Sequence, residues 1–295
     1  MSSDDEPRSQ APLGASPVVV VAPHPDDESL GCAGVIMGAV ARGVDVRVVF
    51  LTYGDGFPAA AALHAGKDED ALAPEDFVAL GQERARQAGV ATRALGLDET
   101  HLTFLGYPDS GLAAMLDASD GGPWTQPFTG KSHTYGFASP EHHTHVHGSP
   151  APYTRDAVVN DLAEIIAASR AEEIYVTHPA DGHADHRAAC ELVVRAAGAA
   201  SFDGTLYTYL VHSADHRWPL PRGVTPDAPF DPLPDPSGIP WPPDERRPLS
   251  PPEAARKLEA IEAYSLETQL SGEYVRSFVK SEEVFWRGAT RSPSR

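Results

Sequence analysis

The sequence is poor in basic residues. Only 23 of its 295 residues are lysine or arginine, against 42 aspartates and glutamates, and the formal net charge is −19. We find no basic cluster. Because nucleic-acid binding needs clustered positive charge to neutralise phosphates, the composition argues against a nucleic-acid partner. The same acidity favours solubility and the attraction of cations.

Cysteine is also scarce, and long apolar runs are absent. The two cysteines, Cys32 and Cys190, are too few for a disulfide framework, and their apolar surroundings predict that they pack in the core. No run approaches the roughly 20 residues of a transmembrane helix. The first residues lack the basic-then-apolar order of a secretory signal. We therefore expect a cytoplasmic protein without a membrane span.

What the sequence does contain is an alternation of apolar segments. Hydrophobic residues make up 41% and charged residues 22% of the chain, as in soluble globular proteins. Strands are predicted at residues 17–22, 44–52, 101–105, 173–177 and 204–211, and helices at residues 29–40, 74–95, 155–168, 184–197 and 253–264, whereas residues 59–66 favour neither. Strand–helix–strand units imply parallel pairing. The sequence therefore predicts an α/β fold with a mostly parallel sheet.

Two segments depart from this alternation. Residues 112–152 are rich in glycine, proline and histidine and predict a loop or lid insertion. Their histidines at positions 142, 143, 145 and 147 are interpreted as a solvated or mobile segment rather than a second metal site. Residues 218–252 hold 13 of the 28 prolines and predict an extended surface arm. With residues 1–16 as a flexible tail, we expect a single domain over residues 17–295.

Two polar motifs follow predicted strands. Residues 23–28 have the sequence PHPDDE, and residues 183–186, about 160 positions later, have the sequence HADH. In an open parallel sheet, ligands bind at the carboxyl ends of the strands, at a topological switch point, so we expect the two motifs to meet. Three acids at a buried strand end are costly unless a cation compensates. The pattern therefore predicts a metal site.

The residue types indicate what such a site could do. Two imidazoles and one carboxylate around an open position are the usual ligands of catalytic zinc, and they also suit Fe2+. Asp26 and Asp27 have diverging side chains, so one can ligate while the other serves as a general base. His183 and His186 share a helix face, so one can ligate while the other polarises a carbonyl or protonates a leaving group. Glu28 is interpreted as a structural acid facing the helix dipole.

Together the two motifs resemble the PIG-L/LmbE-like family of metal-dependent N-acetylglucosaminyl deacetylases. The first motif matches one family signature and the second matches another, in the same order and at strand ends. The resemblance runs, with gaps, over residues 18–211. It implies a Rossmann-like three-layer sandwich with its active site at the C-terminal ends of the strands.

The resemblance also implies a role for each motif residue. It implies metal ligation by His24, Asp27 and His186. It implies that Asp26 is the base that activates the attacking water. His183 would stabilise the oxyanion and assist departure of the amine.

Four further residues are candidates outside these five. The resemblance implies Asp185 as the partner of His183, Asp109 as a contact to the sugar, and Arg84 as a second substrate-binding residue. Where the family often has an acid three residues after that arginine, this chain has Gln87. Asp55, in a glycine-rich turn at a strand end, either lines the pocket or forms a structural Asx turn.

The two motifs predict a metal-dependent hydrolase, and the resemblance implies a zinc-dependent enzyme that removes an N-acyl group, such as acetyl, from an amino sugar or its glycoconjugate. The partner would be a small amino-sugar substrate, and a homo-oligomer is compatible with the sequence. Three alternatives stay open: an amidase acting on a sugar-linked thiol conjugate, a non-catalytic metal-binding module, and a metal phosphoesterase, which usually needs a second metal. The acyl group, the aglycone and the choice between zinc and iron are also left open.

Overall fold

A computed structural model describes residues 13–118, 122–136, 141–213, 218–233 and 238–289. The predicted tail therefore lies outside the described residues over positions 1–12. The elements follow in the order β1 (Val18–Ala22), α1 (Asp27–Gly31), α2 (Ala33–Ala41), β2 (Val46–Thr52), α3 (Pro58–Ala65), α4 (Pro74–Ala94), β3 (Leu102–Tyr107), α5 (Leu112–Asp117), α6 (His142–His147), α7 (Arg155–Ser169), β4 (Glu173–Thr177), α8 (Ala184–Ala199), β5 (Thr205–Tyr209), β6 (Glu245–Pro248), α9 (Pro251–Ala263), α10 (Ser265–Arg276) and β7 (Glu282–Arg287).

Seven strands form one sheet in the order β3-β2-β1-β4-β5-β7-β6. The first five strands in this order pair in parallel, while β7 is antiparallel to both β5 and β6. The prediction of a mostly parallel α/β sheet is therefore confirmed. The chain leaves β1 for β2 on one side and later enters β4 on the other side of β1. The switch point of the sheet thus lies between β1 and β4.

Helices cover both faces of the sheet, as the side chains of β1 illustrate. Its side chains alternate between two cores. Val18 and Val20 pack with residues of α2, α4 and α9 on one face, whereas Val19 and Val21 pack with residues of α5, α7 and α8 on the other. Because both faces are covered, the strand is apolar at every position. The predicted three-layer sandwich is confirmed.

The first predicted helix, residues 29–40, is two helices. The break lies at Cys32, whose φ of −132° is not helical. Just before it, a Cβ on Gly31 would lie 2.2 Å from the ring of Tyr209. The glycine therefore allows Tyr209 to approach the backbone, where its hydroxyl donates to the carbonyl of Val21 (3.0 Å). This contact ties β5 to β1, next to the first motif.

The segment around the clustered histidines is helical, and the interpretation of residues 142–147 as a loop was wrong. The side chain of Glu141 caps α6 by accepting from the N–H of Thr144 (3.3 Å), and Gly148 ends the helix with a φ of 77°. A six-residue helix is too short for apolar periodicity to reveal it. Positions 119–121 and 137–140 of the predicted insertion lie outside the described residues.

The C-terminal region contains more regular structure than predicted. The helix expected at residues 253–264 is α9, but α10 and the buried strand β7 follow it, and β6 lies within the proline-rich segment. Lys257 is fully buried and donates to the carbonyl of Leu30 (2.8 Å) and to Glu283 (2.8 Å). This buried ion pair joins α9 to α1 and β7, so the C-terminal elements support the first motif.

Residues 13–16, predicted as part of the tail, lie against the sheet. Leu13 is buried, and the N–H of Gly14 donates to Glu173 (2.7 Å) at the start of β4. Both cysteines are buried as free thiols. None of the helices in the described part of the chain combines the length and the apolar character that a bilayer span requires.

Candidate active site

The two motifs meet at the carboxyl ends of β1 and β4. The first motif forms the turn from β1 into α1, and the second begins α8 after β4. His186 Nε2 lies 3.3 Å from His24 Nδ1, although 162 positions separate the two residues in sequence. The switch point of the sheet therefore carries the polar cluster, as the sequence predicts.

Three atoms at this point form a nearly equilateral triangle. Asp27 Oδ2 lies 3.4 Å from His24 Nδ1 and 3.3 Å from His186 Nε2, and the two nitrogens are 3.3 Å apart. A tetrahedral ion with bonds of about 2.1 Å separates its ligand atoms by about 3.4 Å. These residues therefore fit a divalent cation. His183 is also within reach, because one ring nitrogen each of His24, His183 and His186 lies within 4.8 Å of the others.

The charges around the triangle favour a cation as well. Burial lowers the pKa of His24, but Asp109, with Asp185 and Asp27, raises that pKa well above its usual value. Burial likewise raises the pKa of Asp27, but His186 and His24 hold it well below the usual range. The cluster thus keeps a buried carboxylate ionised and stabilises positive charge at its centre.

Asp26 lies at a strained position of the turn. Its φ of 132° is in a region that residues other than glycine rarely adopt. Its N–H donates to Glu28 (3.1 Å), and Arg84 lies 3.5 Å from its carboxylate while donating to the carbonyl of Pro25 (2.8 Å). Burial raises the pKa of Asp26 well above its usual value, although Arg84 opposes this shift. Backbone strain of this kind clusters at functional sites.

Arg84 is buried, with 4% of its surface exposed, and protein groups engage its guanidinium. Besides its contacts to the turn, it donates to the carbonyl of Gly54 (3.0 Å), and its Nε lies 2.8 Å from Glu267. Gly54 has a φ of 66°, and a Cβ there would lie 2.3 Å from the guanidinium. The sequence predicts a substrate contact for Arg84; in the structure its guanidinium contacts the Asp26 turn, Gly54 and Glu267.

Glu28 is fully buried within the protein. It accepts hydrogen bonds from the hydroxyls of Ser29 (2.5 Å) and Tyr264 (2.7 Å). Burial raises the pKa of Glu28 to about 7, despite these donors. Its partners are all protein groups of the turn and of the C-terminal helices, so its surroundings are those of a structural acid.

Asp109 and Asp55 lie next to each other beside the triangle. Asp109 Oδ1 lies 3.1 Å from His24 Nε2, on the side of the ring that faces away from the triangle. Asp55 accepts hydrogen bonds from the hydroxyl of Tyr135 and from Gln126 (3.2 Å). Burial, followed by the charge of Asp109, raises the pKa of Asp55 to about 7. These contacts connect the segment at residues 122–136 to the site.

The carboxylate of Asp185 does not pair with His183, which differs from the predicted arrangement. It lies 3.5 Å from His24 Nε2 and accepts from the N–H of Leu112 (3.0 Å). Instead, the backbone N–H of Asp185 donates to His183 Nδ1 (3.3 Å). Burial, together with His24 and other histidines, lowers the pKa of His183 to about 4. A neutral His183 therefore carries its proton on Nε2.

Two residues of the site were missed by the sequence prediction. Asp181 Oδ2 lies 3.3 Å from His186 Nδ1 and accepts from the N–H groups of Val211 and His212 (3.0 Å each). The ring of His212 lies 5.0 Å from that of His186, and burial lowers the pKa of His212 to about 4. Their positions are the sole trace of them in the sequence: Asp181 lies in the turn before the second motif and His212 follows the adjacent strand, but neither residue belongs to a motif.

Comparisons with known proteins identify the family of this chain. The profile of the family PIG-L, GlcNAc-PI de-N-acetylase, matches residues 19–197. Two relatives are named 1D-myo-inositol 2-acetamido-2-deoxy-α-D-glucopyranoside deacetylase. The protein from Mycobacterium sp. (strain KMS) is 40% identical over 94 residues, covering 30% of this chain and 28% of the relative. The protein from Streptomyces griseus is 30% identical over 200 residues, covering 64% and 50%. The chain thus spans half or less of the length of these relatives.

Solved structures share the fold at low identity. N,N'-diacetylchitobiose deacetylase from Pyrococcus horikoshii has a TM-score of 0.56 and 16% identity over 95% of this chain and 86% of that chain. GalB, the 4-carboxy-2-hydroxymuconate hydratase from Pseudomonas putida KT2440, has a TM-score of 0.57 and 15% identity over 95% and 99%. Because a deacetylase and a hydratase both have this fold, the fold alone does not give the activity. The family profile, however, spans more than half of the chain and includes both motifs. The chain therefore belongs to the PIG-L family of GlcNAc-PI de-N-acetylases.

Proposed function

We propose that the protein is a zinc-dependent N-deacetylase that hydrolyses the acetamido group of an amino sugar or its glycoside. The observation that carries this proposal is the triangle of His24 Nδ1, Asp27 Oδ2 and His186 Nε2, with edges of 3.3 to 3.4 Å. Asp26 stands beside it at a strained turn.

His24, Asp27 and His186 would hold the ion. When bound, a divalent cation supplies the Lewis acidity that polarises an amide carbonyl and lowers the pKa of water. Histidine and carboxylate ligands suit zinc, and Fe2+ is the alternative. Carboxylates orient both imidazoles from their far sides, which is typical of metal-binding histidines: Asp109 and Asp185 contact His24 Nε2, and Asp181 contacts His186 Nδ1.

Asp26 would accept the proton of the attacking water. Burial raises the pKa of Asp26 above its usual range, which makes the ionised carboxylate a stronger proton acceptor. Arg84 and Glu28 hold the turn that presents it, through contacts of 3.5 Å and 3.1 Å. We therefore assign Arg84 a positioning role in place of the substrate contact that the resemblance implies.

His183 would act on the other side of the scissile bond. With Nδ1 accepting a backbone N–H, its Nε2–H is available to donate a hydrogen bond to the oxyanion, which would assist departure of the amine. The proton that Asp26 takes from the water would then pass to the leaving amine as the C–N bond breaks. The lowered pKa keeps the ring neutral at neutral pH, so that it can hold this proton without repelling a cation. Asp109 would act through His24, while Asp55 would position residues 122–136 beside the substrate. Cytoplasmic location and an amino-sugar partner remain predictions.

The test is acetate release by the purified, metal-loaded protein. The first substrate is 1D-myo-inositol 2-acetamido-2-deoxy-α-D-glucopyranoside, the compound named for the relatives. Free N-acetylglucosamine, N,N'-diacetylchitobiose and a sugar-linked thiol conjugate complete the panel. Zinc and anaerobic Fe2+ are compared. We expect stoichiometric release of acetate and a primary amine from at least one N-acetyl sugar.

The variant Asp26→Asn separates an enzyme from a metal-binding module. It should keep its metal while kcat falls by about 10²- to 10⁴-fold, which is the usual contribution of a general base. Asp45→Asn, at an exposed position before β2, is the matched control and should have the wild-type rate. Metal-loaded protein that releases no acetate from any N-acyl sugar would contradict the proposal. Cleavage of the thiol conjugate alone would identify the amidase instead.

A further inference from the structure

A second cluster of metal-binding side chains lies between α6 and α7. The α6–α7 cluster consists of His142, His143 and His147 from α6 and Asp161 and Glu164 from α7. Within it, single ligand atoms of His143, His147 and Asp161 lie within 4.8 Å of one another, as do those of His142, Asp161 and Glu164. Nothing in the proposed deacetylase chemistry uses these residues.

The spacing on both helices brings the side chains together. His143 and His147 are four positions apart, so they share one face of α6, and their rings are 4.4 Å apart. Asp161 and Glu164 are three positions apart on α7 and face them. His143 Nδ1 lies 2.7 Å from Asp161 Oδ1, and His147 Nε2 lies 3.1 Å from Glu164 Oε2. Two histidines at i and i+4 on one helix face are a known zinc-binding arrangement.

The cluster has a fixed base and an open side. The Asp161 side chain has no exposed surface, and its second oxygen accepts from the hydroxyl of Tyr107 (2.7 Å). By contrast, the side chains of His147 and Glu164 are 39% and 42% exposed. An ion could therefore enter from solvent and meet a carboxylate that is already held in place. His142 Nε2 makes no hydrogen bond among the described residues and lies 3.5 Å from Glu164.

We propose that His143, His147 and Asp161 bind a second Zn2+-type transition-metal ion, with Glu164 at the open side. Imidazole nitrogens with carboxylate oxygens are ligands that zinc prefers. The ion would fasten α6 to α7. Tyr107, which bonds Asp161, ends β3 two positions before Asp109, and Asp109 contacts His24. The site would thus fix the segment that carries α6 beside the loop next to the active site, without taking part in the reaction.

Zinc stoichiometry tests the proposal on tag-free, full-length protein. Zinc bound per chain is measured by elemental analysis after dialysis, and affinity by competition with a chromogenic chelator. The double variant His143→Gln/His147→Gln keeps hydrogen-bonding side chains but removes two imidazoles. We expect it to hold one zinc fewer than the wild type. Loss of two ligands should weaken the second site by more than the roughly 10- to 100-fold that removal of an outer partner costs.

His145→Gln is the matched control, because His145 is exposed on the same helix and belongs to neither ligand group. It should bind zinc like the wild type, and both variants should keep wild-type circular dichroism and acetate release. Equal zinc content in the wild type and the double variant would overturn the proposal, and so would an equal loss in His145→Gln. The result is independent of the deacetylase proposal, because it is a difference in stoichiometry that does not involve His24, Asp27 or His186.

Discussion

The active site and the α6–α7 cluster use the same ligand types in different surroundings. At the active site, His24, Asp27 and His186 are almost completely buried, and every far-side ring nitrogen contacts a further carboxylate. In the α6–α7 cluster only Asp161 is fully buried, while His147 and Glu164 are open to solvent. Burial strengthens electrostatic interactions and makes unpaired charge costly.

This difference predicts what each site does with an ion. The buried site has carboxylates on the far sides of its ligands, a strained base at Asp26 and a neutral donor at His183, so its surroundings can act on a bound molecule. The α6–α7 cluster has ligands without such a base or donor among the described residues. Ligand types alone therefore do not distinguish a catalytic metal site from a structural one.

Removal of a buried ligand should have the largest effect. Asp27→Ala takes away one corner of the triangle and leaves two histidines among Asp109 and Asp185. We expect kcat/KM for acetate release to fall by more than about 100-fold, beyond the usual range for an outer partner. Zinc content should fall by one. The same substitution at Asp161 should also remove one zinc but leave the rate within about twofold. Equal loss of rate in both variants would remove the distinction between the sites.

The second-largest effect should be on the pH dependence of protein stability, which should differ between a buried acid near the active site and an exposed acid of the α6–α7 cluster. Burial raises the pKa of Glu28 from its ordinary 4.5 to about 7. The folded state therefore binds this proton more tightly than the unfolded state, and stability is lost as pH rises from about 4.5 to about 7. We compare the free energy of unfolding of metal-free Glu28→Gln with that of the metal-free wild type. The variant minus wild-type difference should rise by up to about 3 kcal/mol as pH increases over that range, because only the wild type loses stability there.

Urea unfolding at a series of pH values measures this gain. Glu164→Gln, which removes a carboxylate from an exposed position, is the control for the loss of a negative charge. A stability curve for Glu28→Gln that runs parallel to that of the wild type would show that Glu28 is ionised in the folded protein over the whole range.

The orienting carboxylate should have a smaller effect than a ligand. Asp181→Asn removes the charge that faces His186 Nδ1 at 3.3 Å but keeps an acceptor for the N–H groups of Val211 and His212. Zinc affinity at the active site should fall by about 10- to 100-fold, as measured by chelator competition. Asp203→Asn, at an exposed position before β5, should bind zinc like the wild type. An unchanged affinity in Asp181→Asn would mean that packing alone orients the ring.

The open side of the α6–α7 cluster should contribute least. Glu164→Gln replaces an exposed carboxylate that lies 3.1 Å from His147. Because water can replace an exposed ligand, we expect zinc affinity at this cluster to fall by less than about tenfold, well under the effect of losing both histidines. Loss of the second zinc in this variant would show that Glu164 closes the site.

Much of the fold and of the site could be predicted from the sequence, because each of the two motifs follows an apolar strand. The strand pattern predicts the parallel sheet, and the sheet brings His24 and His186 together. The partner of His186 was not predictable, since Asp181 precedes the second motif, Asp185 lies within it, and only the course of the turn decides which carboxylate meets which ring. His212 was missed because a lone histidine after a strand carries no motif. The helix α6 depends on a cap at Glu141 and on contacts with α7, which no local pattern encodes.

The distance in sequence between contacting residues also determines the order in which the two sites can form while the chain is synthesised. His24 and His186 are 162 positions apart, whereas His143 and Asp161 are 18 apart. At about 5 to 20 residues per second of synthesis, the ribosome adds His186 roughly 8 to 30 s after His24, but completes the α6–α7 pair within about 1 to 4 s. A nascent chain would therefore offer the α6–α7 ligands first, and the three acids of the first motif would wait for their second histidine until the sheet has reached β4.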